Sequence, residues 1–159
     1  MFIPGIKADQ VDASAQFRLG TLGMTYDGKV YKYVTYDHGT AELDLAAGDV
    51  VYYVDDTGYG SSTVTADASD ASGAEIGAGV VPAAVTEDGS CFWVQLTGPA
   101  TLAVALGGSA GDGDPLTAVG AADKALTKAA EADSTATYKS VVAIAVDASA
   151  KEIICQFPW

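Results

Sequence analysis

A chain of 159 residues and 16.1 kDa is long enough to bury a hydrophobic core without disulfides or metal ions. Hydrophobic residues make up 49% of it and charged residues 18%, which excludes the charge-rich composition of a disordered protein. The net charge is −13, and no Lys or Arg occurs between Lys32 and Lys124, although most of the 21 acidic residues lie there. Such a surface repels phosphates, so we expect no nucleic-acid partner.

The first segment, residues 1–20, is predicted to be an extended N-terminal arm, because Pro4, Gly5 and small polar residues interrupt its few apolar positions. It lacks the basic start and the long apolar run of a secretory signal. No run in the chain approaches the ~20 apolar residues of a membrane helix. We therefore expect synthesis in a cytoplasm and no membrane partner.

A β-hairpin is predicted next, over residues 22–26 and 29–36. Asp27 and Gly28 stand between its strands, a pair suited to a two-residue type I′ turn. In the second strand Tyr31, Tyr33 and Thr35 are predicted to point one way, and the residues between and around them the other: Val30, Lys32, Val34 and Tyr36. This period of two is typical of a sheet with two different faces.

The rest of the body, residues 21–159, reads as further short strands separated by Gly-, Asp- and Pro-rich turns. Strands are predicted over residues 41–45, 50–54, 62–66, 76–85, 91–96, 101–106, 141–146 and 152–157. Residues 107–115 are predicted to be a turn, and residues 119–133 a loop with a short strand. The sequence thus predicts an all-β fold, a small β-sandwich or barrel of antiparallel strands.

A weak internal repeat indicates two similar β-units, over residues 46–98 and 109–159. Residues 81–96 align without gaps on residues 142–157, with Gln95 matching Gln156, and residues 48–54 echo 113–119. The alternative is that hairpins of one sandwich simply resemble each other. If the repeat is real, the units share one core, because each alone is too small to bury a face.

Catalytic and metal-binding patterns are missing from the sequence, and we expect no enzyme and no cofactor. The chain has one histidine, His38, in a predicted turn, and no nucleophile, metal or phosphate-loop motif. Cys91 and Cys155 lie in apolar runs, which indicates buried free thiols, with a disulfide as the alternative. Asp112 and Asp114 favour a plain turn over a Ca²⁺ loop. A hydrolase that uses a pair of acidic residues remains an alternative function.

Three runs carry a resemblance to a known family: residues 28–34 (GKVYKYV), 46–53 (AAGDVVYY) and 91–100 (CFWVQLTGPA). Residues 110–116 (AGDGDPL), residues 141–145 (VVAIA) and the closing strand add to it. Over residues 20–159 the chain resembles the head decoration, or cement, proteins of tailed phages. Its motifs are turns and strands, and it brings no catalytic residue.

The resemblance implies a homotrimer that binds the major capsid protein on the outer surface of the virion, after synthesis in the host cytoplasm. The arm would supply contacts to a neighbouring subunit or to the shell, through Phe2, Ile3, Pro4 and Ile6, which have little else to fold onto. Tyr31 and Tyr33 are further candidates, because exposed tyrosines on a sheet bind partners or sugars. The alternative is a glycan- or receptor-binding β-module of a phage fibre or spike.

Overall fold

The computed structural model describes residues 2–54, 58–71, 76–129 and 140–159 of the chain. It confirms the predicted all-β class: the described residues form thirteen strands and one helical turn, Gly58–Ser61. The strands are β1 (Phe2–Pro4), β2 (Val11–Asp12), β3 (Leu22–Met24), β4 (Val30–Tyr36), β5 (Val50–Tyr53), β6 (Thr63–Thr65), β7 (Gly77–Val80), β8 (Cys91–Gln95), β9 (Thr97–Thr101), β10 (Pro115–Thr117), β11 (Thr127–Lys128), β12 (Ala143–Asp147) and β13 (Glu152–Gln156). Among the described residues, no helix has the length and apolar character needed to cross a bilayer.

Eight strands form the first sheet, in the order β1-β3-β4-β6-β5-β7-β8-β2. An additional pairing of β4 with β8 closes the strands from β4 to β8 into a small barrel. Its interior contains Val34, Tyr53 and Phe92, each at most 1% exposed. It also contains the buried Lys32, whose Nζ donates to the hydroxyl of Tyr53 at 2.8 Å. The β-branched and aromatic residues that predict strands in this part of the sequence thus fill the barrel.

Five antiparallel strands form the second sheet, in the order β11-β10-β12-β13-β9. The chain passes directly from β8 in the first sheet to β9 in the second, across the buried Leu96. Phe157 and Ile153 pack with Val50 and Phe92 in one cluster of buried residues. The two sheets therefore share a single core.

The hairpin of β3 and β4 is confirmed, but its turn differs from the prediction. Thr25 and Lys29 still pair, and the N–H of Gly28 donates to the carbonyl of Thr25 at 3.0 Å. Gly28 has a φ of 84°, whereas Asp27 is not left-handed. A type I′ turn requires both central residues to be left-handed, so the loop is the three-residue kind that ends in a left-handed glycine.

The strand predicted over residues 101–106 is wrong, since β9 lies earlier, at Thr97–Thr101. In the structure β9 is an edge strand paired with β13, and Pro99 lies opposite Ile154. An edge strand tolerates proline because its outer side needs no N–H donor. Of the strand predicted over residues 41–45, Leu45 makes an isolated bridge to Val85.

The N-terminal arm folds onto the chain's own barrel, contrary to the expectation that it has little to fold onto. β1 runs parallel to β3, and β2 pairs with β8 at the other edge of the sheet. Between them the arm covers a second buried cluster on the outside of β4 and β8. This cluster consists of Tyr31, Tyr33, Cys91 and Trp93, packed against Ile6, Ala8, Phe17 and Leu19. The reason is that the outward side chains of β4 and β8 include this large aromatic cluster, which would face solvent without the arm.

Each sheet contains a set of four strands in a matching order, β6-β5-β7-β8 in the first and β11-β10-β12-β13 in the second. The turn before the second strand of each set has the same bonds. Asp49 accepts the N–H of Ala46 at 2.8 Å. Asp114 accepts the N–H of Gly111 at 2.7 Å. In the gap-free sequence alignment β8 coincides with β13, whereas β7 is displaced from β12.

Candidate interaction surfaces

The arm presents its first residues to solvent and keeps later ones against the barrel. Phe2 is 47% exposed and Pro4 is also exposed, while Ile3 and Ile6 are half-buried. Ile6 packs on the Trp93 cluster beneath the arm. The four predicted arm residues thus lie along one short segment, but Phe2 and Pro4 are the pair that a partner can reach directly.

Tyr31 and Tyr33 lie beneath the arm and not on the surface, with exposures of 5% and 0%. The ring of Tyr33 packs against Phe17 and Trp93, at centroid distances of 5.2 and 5.0 Å. Its hydroxyl donates to Asp12 Oδ2 at 2.6 Å and accepts the N–H of Gln16 at 3.2 Å. Burial, with a smaller contribution from the Asp12 carboxylate, raises the pKa of Tyr33. While the arm is docked, these rings cannot contact a sugar or a partner.

A second surface lies on the outside of the second sheet, where apolar side chains face solvent. β12 and β13 alternate between buried and exposed positions, yet exposed Ile144, Val146 and Ile154 are β-branched and apolar. Their exposures are 37%, 50% and 37%. An antiparallel sheet that covers a core with one face normally shows polar residues on the other.

The ladder pairings arrange these side chains in a continuous row across four strands. Pro115 lies opposite Ile144, Ile144 opposite Ile154, and Ile154 opposite Pro99. Directly opposed residues of an antiparallel pair point to the same side of the sheet. We call this surface, formed by Pro99, Pro115, Ile144, Val146 and Ile154, the outer face. The sequence carries a signal of this surface: apolar residues at consecutive positions in residues 141–146 and 153–155, where a strand with one solvated face would alternate.

Charged groups stand at the margins of the outer face. A shallow depression beside Val146 and Ile154 is lined also by Lys29 and Glu152. On the far side Lys128 Nζ lies 2.8 Å from Asp114, which lowers the pKa of that carboxyl. The row from Pro99 to Pro115 itself contains no ionisable residue.

No family model, no curated protein and no solved structure matches this chain. The resemblance to phage decoration proteins rests on residues 28–34, 46–53 and 91–100. In the structure these runs form the hairpin strand β4, the Gly-Asp turn with β5, and the passage from β8 to β9 between the sheets.

The reactive residue types in the described part of the chain are held in structural contacts. Cys91 and Cys155 are both free and buried, and burial raises the pKa of Cys155 to about 12. His38 packs edge-on against Tyr36, with ring centroids 5.2 Å apart. No group of three or more His, Cys, Asp or Glu residues that could hold a metal ion occurs within the described ranges.

The Gly-Asp segment considered as a Ca²⁺ loop is a turn whose carboxylates already accept bonds from the protein. Asp114 accepts from Gly111 and pairs with Lys128. Asp112 accepts the N–H of Ala148, in the β12–β13 turn, at 2.8 Å. Asp112 therefore ties the turn before β10 to the β12–β13 turn, and Asp114 closes its own turn and pairs with β11. Side-chain bonds from Asp to the backbone are the use that the plain-turn interpretation predicted.

Proposed function

We propose that this protein is a structural virion protein that binds the outer surface of a phage capsid and stabilises it, as a homotrimer. The observation that carries the proposal is the outer face: a contiguous apolar row on a small acidic protein is typical of a molecule that works in an assembly. The resemblance to phage decoration proteins supports a phage head as that assembly.

The charge distribution supports a position on the outside of a head. The chain carries a net charge of −13, and its middle has no basic residue between Lys32 and Lys124. A trimer would triple that charge. Such a particle is repelled by packaged DNA and suits a solvent-facing location.

The exposed start of the arm is the part that we propose meets the shell. β1 is the terminal strand of the first sheet, and Phe2 and Pro4 project from it. An edge strand offers backbone hydrogen bonds to an added strand of a partner. The remainder of the arm stays on the barrel, because it covers the Tyr33 and Trp93 cluster.

The alternative of a glycan-binding module has less support, since it relied on exposed rings of Tyr31 and Tyr33. Both are buried beneath the arm. A sugar site at these rings would require the arm to leave the barrel.

Co-sedimentation with heads assembled from the major capsid protein of the same genome tests the proposal. We expect saturable binding by the wild type and about tenfold weaker binding by Phe2→Ser, since an exposed aromatic anchor contributes on the order of 1–2 kcal/mol. Val11→Thr is the matched control, because Val11 is an arm residue 39% exposed on β2 and not on β1. Wild-type protein that stays in the supernatant at saturating heads contradicts the proposal.

A further inference from the structure

We propose that the N-terminal arm is a strap, which opens and closes over the barrel as a unit of its own while the rest of the fold stays intact. The closed state is the major one, and opening swings residues 2–19 away from the barrel about Gly20. The strap controls access to Tyr31, Tyr33 and Trp93, which only the open state exposes. This inference goes beyond the proposed function and does not depend on it, because it concerns the free chain.

The first step is that the body of the protein is closed without the arm. The pairing of β4 with β8 completes the barrel, and no described residue of the arm belongs to the main cluster of buried residues. The arm packs instead on the separate cluster of Tyr31, Tyr33, Cys91 and Trp93, outside the barrel. Opening therefore uncovers this small cluster alone and leaves the core between the two sheets covered, which is the condition for local opening.

The second step is that short pairings fasten the arm. β1 pairs with β3 over three residues, and β2 pairs with β8 over two. At the end of the arm the N–H of Gly20 donates to the carbonyl of Tyr33 at 2.8 Å. Gly20 has a φ of 82°, a conformation that glycine adopts without strain, so it can absorb the backbone change that opening requires.

The third step is that the closed arm leaves a buried donor without a bond. Trp93 is fully buried, and its Nε1 has no acceptor among the residues that the structure describes. The hydroxyl of Tyr33, by contrast, is bonded to Asp12 and Gln16 of the arm. A buried N–H without an acceptor carries a desolvation cost that exposure to water removes. Hydration of the indole N–H therefore favours opening, whereas the bonds of Tyr33 favour closure.

The fourth step is that the closed arm rests on a fitted seat at Gly23. A Cβ at this position would lie 2.7 Å from Cγ2 of Ile6 in the arm and 3.0 Å from Cζ3 of Trp93. These two side chains meet over β3 because Gly23 has no side chain of its own. Gly23 is not left-handed, so alanine fits its backbone and disturbs only the seat. Closure is thus a specific contact that one methyl group weakens.

Pulsed alkylation of the full chain with iodoacetamide, read for each thiol from peptide masses, tests the inference. Cys91 lies beneath the arm and Cys155 in the core common to both sheets, and both thiols are buried. The alkylation of Cys91 therefore reports opening of the strap, and that of Cys155 reports unfolding of the whole chain. We expect Cys91 of the wild type to react at least about 100 times faster than Cys155, since local opening is more frequent than global unfolding.

Three variants separate the two kinds of opening. Phe17→Ala removes the arm's ring from Tyr33 and Trp93, and Gly23→Ala fills the seat of Ile6, so each should speed the alkylation of Cys91 about tenfold or more. Phe157→Ala is the matched control in the core. It weakens the closed and the open state equally, so it should speed the alkylation of Cys155 and leave the rate at Cys91 unchanged.

Three results overturn the inference. Equal alkylation rates of Cys91 and Cys155 in the wild type mean that the arm opens only with the whole fold. An equal acceleration of both thiols in Phe157→Ala means the same. A Cys91 rate that neither Phe17→Ala nor Gly23→Ala raises, in chains folded by circular dichroism, means that another motion exposes this thiol. Head binding is measured separately: a chain that ignores heads removes the proposed function and leaves the strap assigned, whereas equal rates in a chain that binds heads do the reverse.

Discussion

The hydroxyl of Tyr33 is expected to hold the arm on the barrel, and Tyr33→Phe removes it without emptying the site. The ring stays fully buried between Phe17 and Trp93, so packing is kept. What is lost is the bond to Asp12 Oδ2 at 2.6 Å and the acceptor for the N–H of Gln16 at 3.2 Å.

The size of the effect follows from those two bonds. A hydrogen bond to a charged group contributes about 1.5–3 kcal/mol to stability. Asp12 is half-buried and keeps a bond from Gln10 Nε2 at 2.9 Å, so its carboxylate can be rehydrated and the lower end applies. We expect a loss of about 1.5 kcal/mol, which raises the population of the undocked arm roughly tenfold.

Amide hydrogen exchange measures this directly, because Gly5 donates to the carbonyl of Met24 at 2.7 Å only while β1 is in place. Protection of the Gly5 amide should fall about tenfold in Tyr33→Phe, with a smaller change in the amides of β8. Tyr36→Phe is the control, since its buried hydroxyl donates to the carbonyl of Leu43 and not to the arm. Unchanged Gly5 protection in Tyr33→Phe, or an equal loss in Tyr36→Phe, would refute this account of the arm.

Three further predictions concern the body of the protein. Phe157→Ala should lower the free energy of unfolding in urea by about 3–5 kcal/mol, because Phe157 is 2% exposed in the core common to both sheets. The variant should still unfold in a single transition, and separate transitions would contradict a common core. Asp49→Ala should cost about 1–3 kcal/mol in urea unfolding and Asp114→Ala clearly less, since the side chains are 3% and 24% exposed in otherwise similar turns. Equal losses would show that burial is irrelevant there. Burial raises the pKa of Tyr36. The free energy of unfolding should therefore keep its full value below about pH 10 and fall above it by up to about 1.4 kcal/mol per pH unit. Urea midpoints at pH 9 and 11 measure this slope, which Tyr36→Phe should reduce.

The strands of the body were predictable because their sequence signals are local. Alternation and β-propensity located β4, β5, β8 and the final hairpin. The Gly-Asp turns were recognisable from residue type, since Asp bonds to a nearby N–H and Gly accepts a left-handed φ. The position of β9 was not predictable in the same way, because whether a segment that contains proline can form a strand depends on whether that strand lies at an edge.

The interaction surfaces were less predictable, because they depend on which strands become neighbours. The sequence could not show that the arm covers Tyr31 and Tyr33. This contact follows from the pairing of β4 with β8, which places the outer faces of the two strands side by side beneath the arm. Likewise Ile144 and Ile154 became one row only through the register of β12 against β13. Composition shows that the chain is acidic, whereas the long-range pairing of strands determines which surface is free of charged residues.

Cryo-electron microscopy of heads, assembled with and without this protein, tests the central claim most directly. The account predicts added density on the outer surface of the shell, in threefold clusters into which three copies fit. Density inside the shell, density only on a tail fibre or spike, or no added density would contradict it.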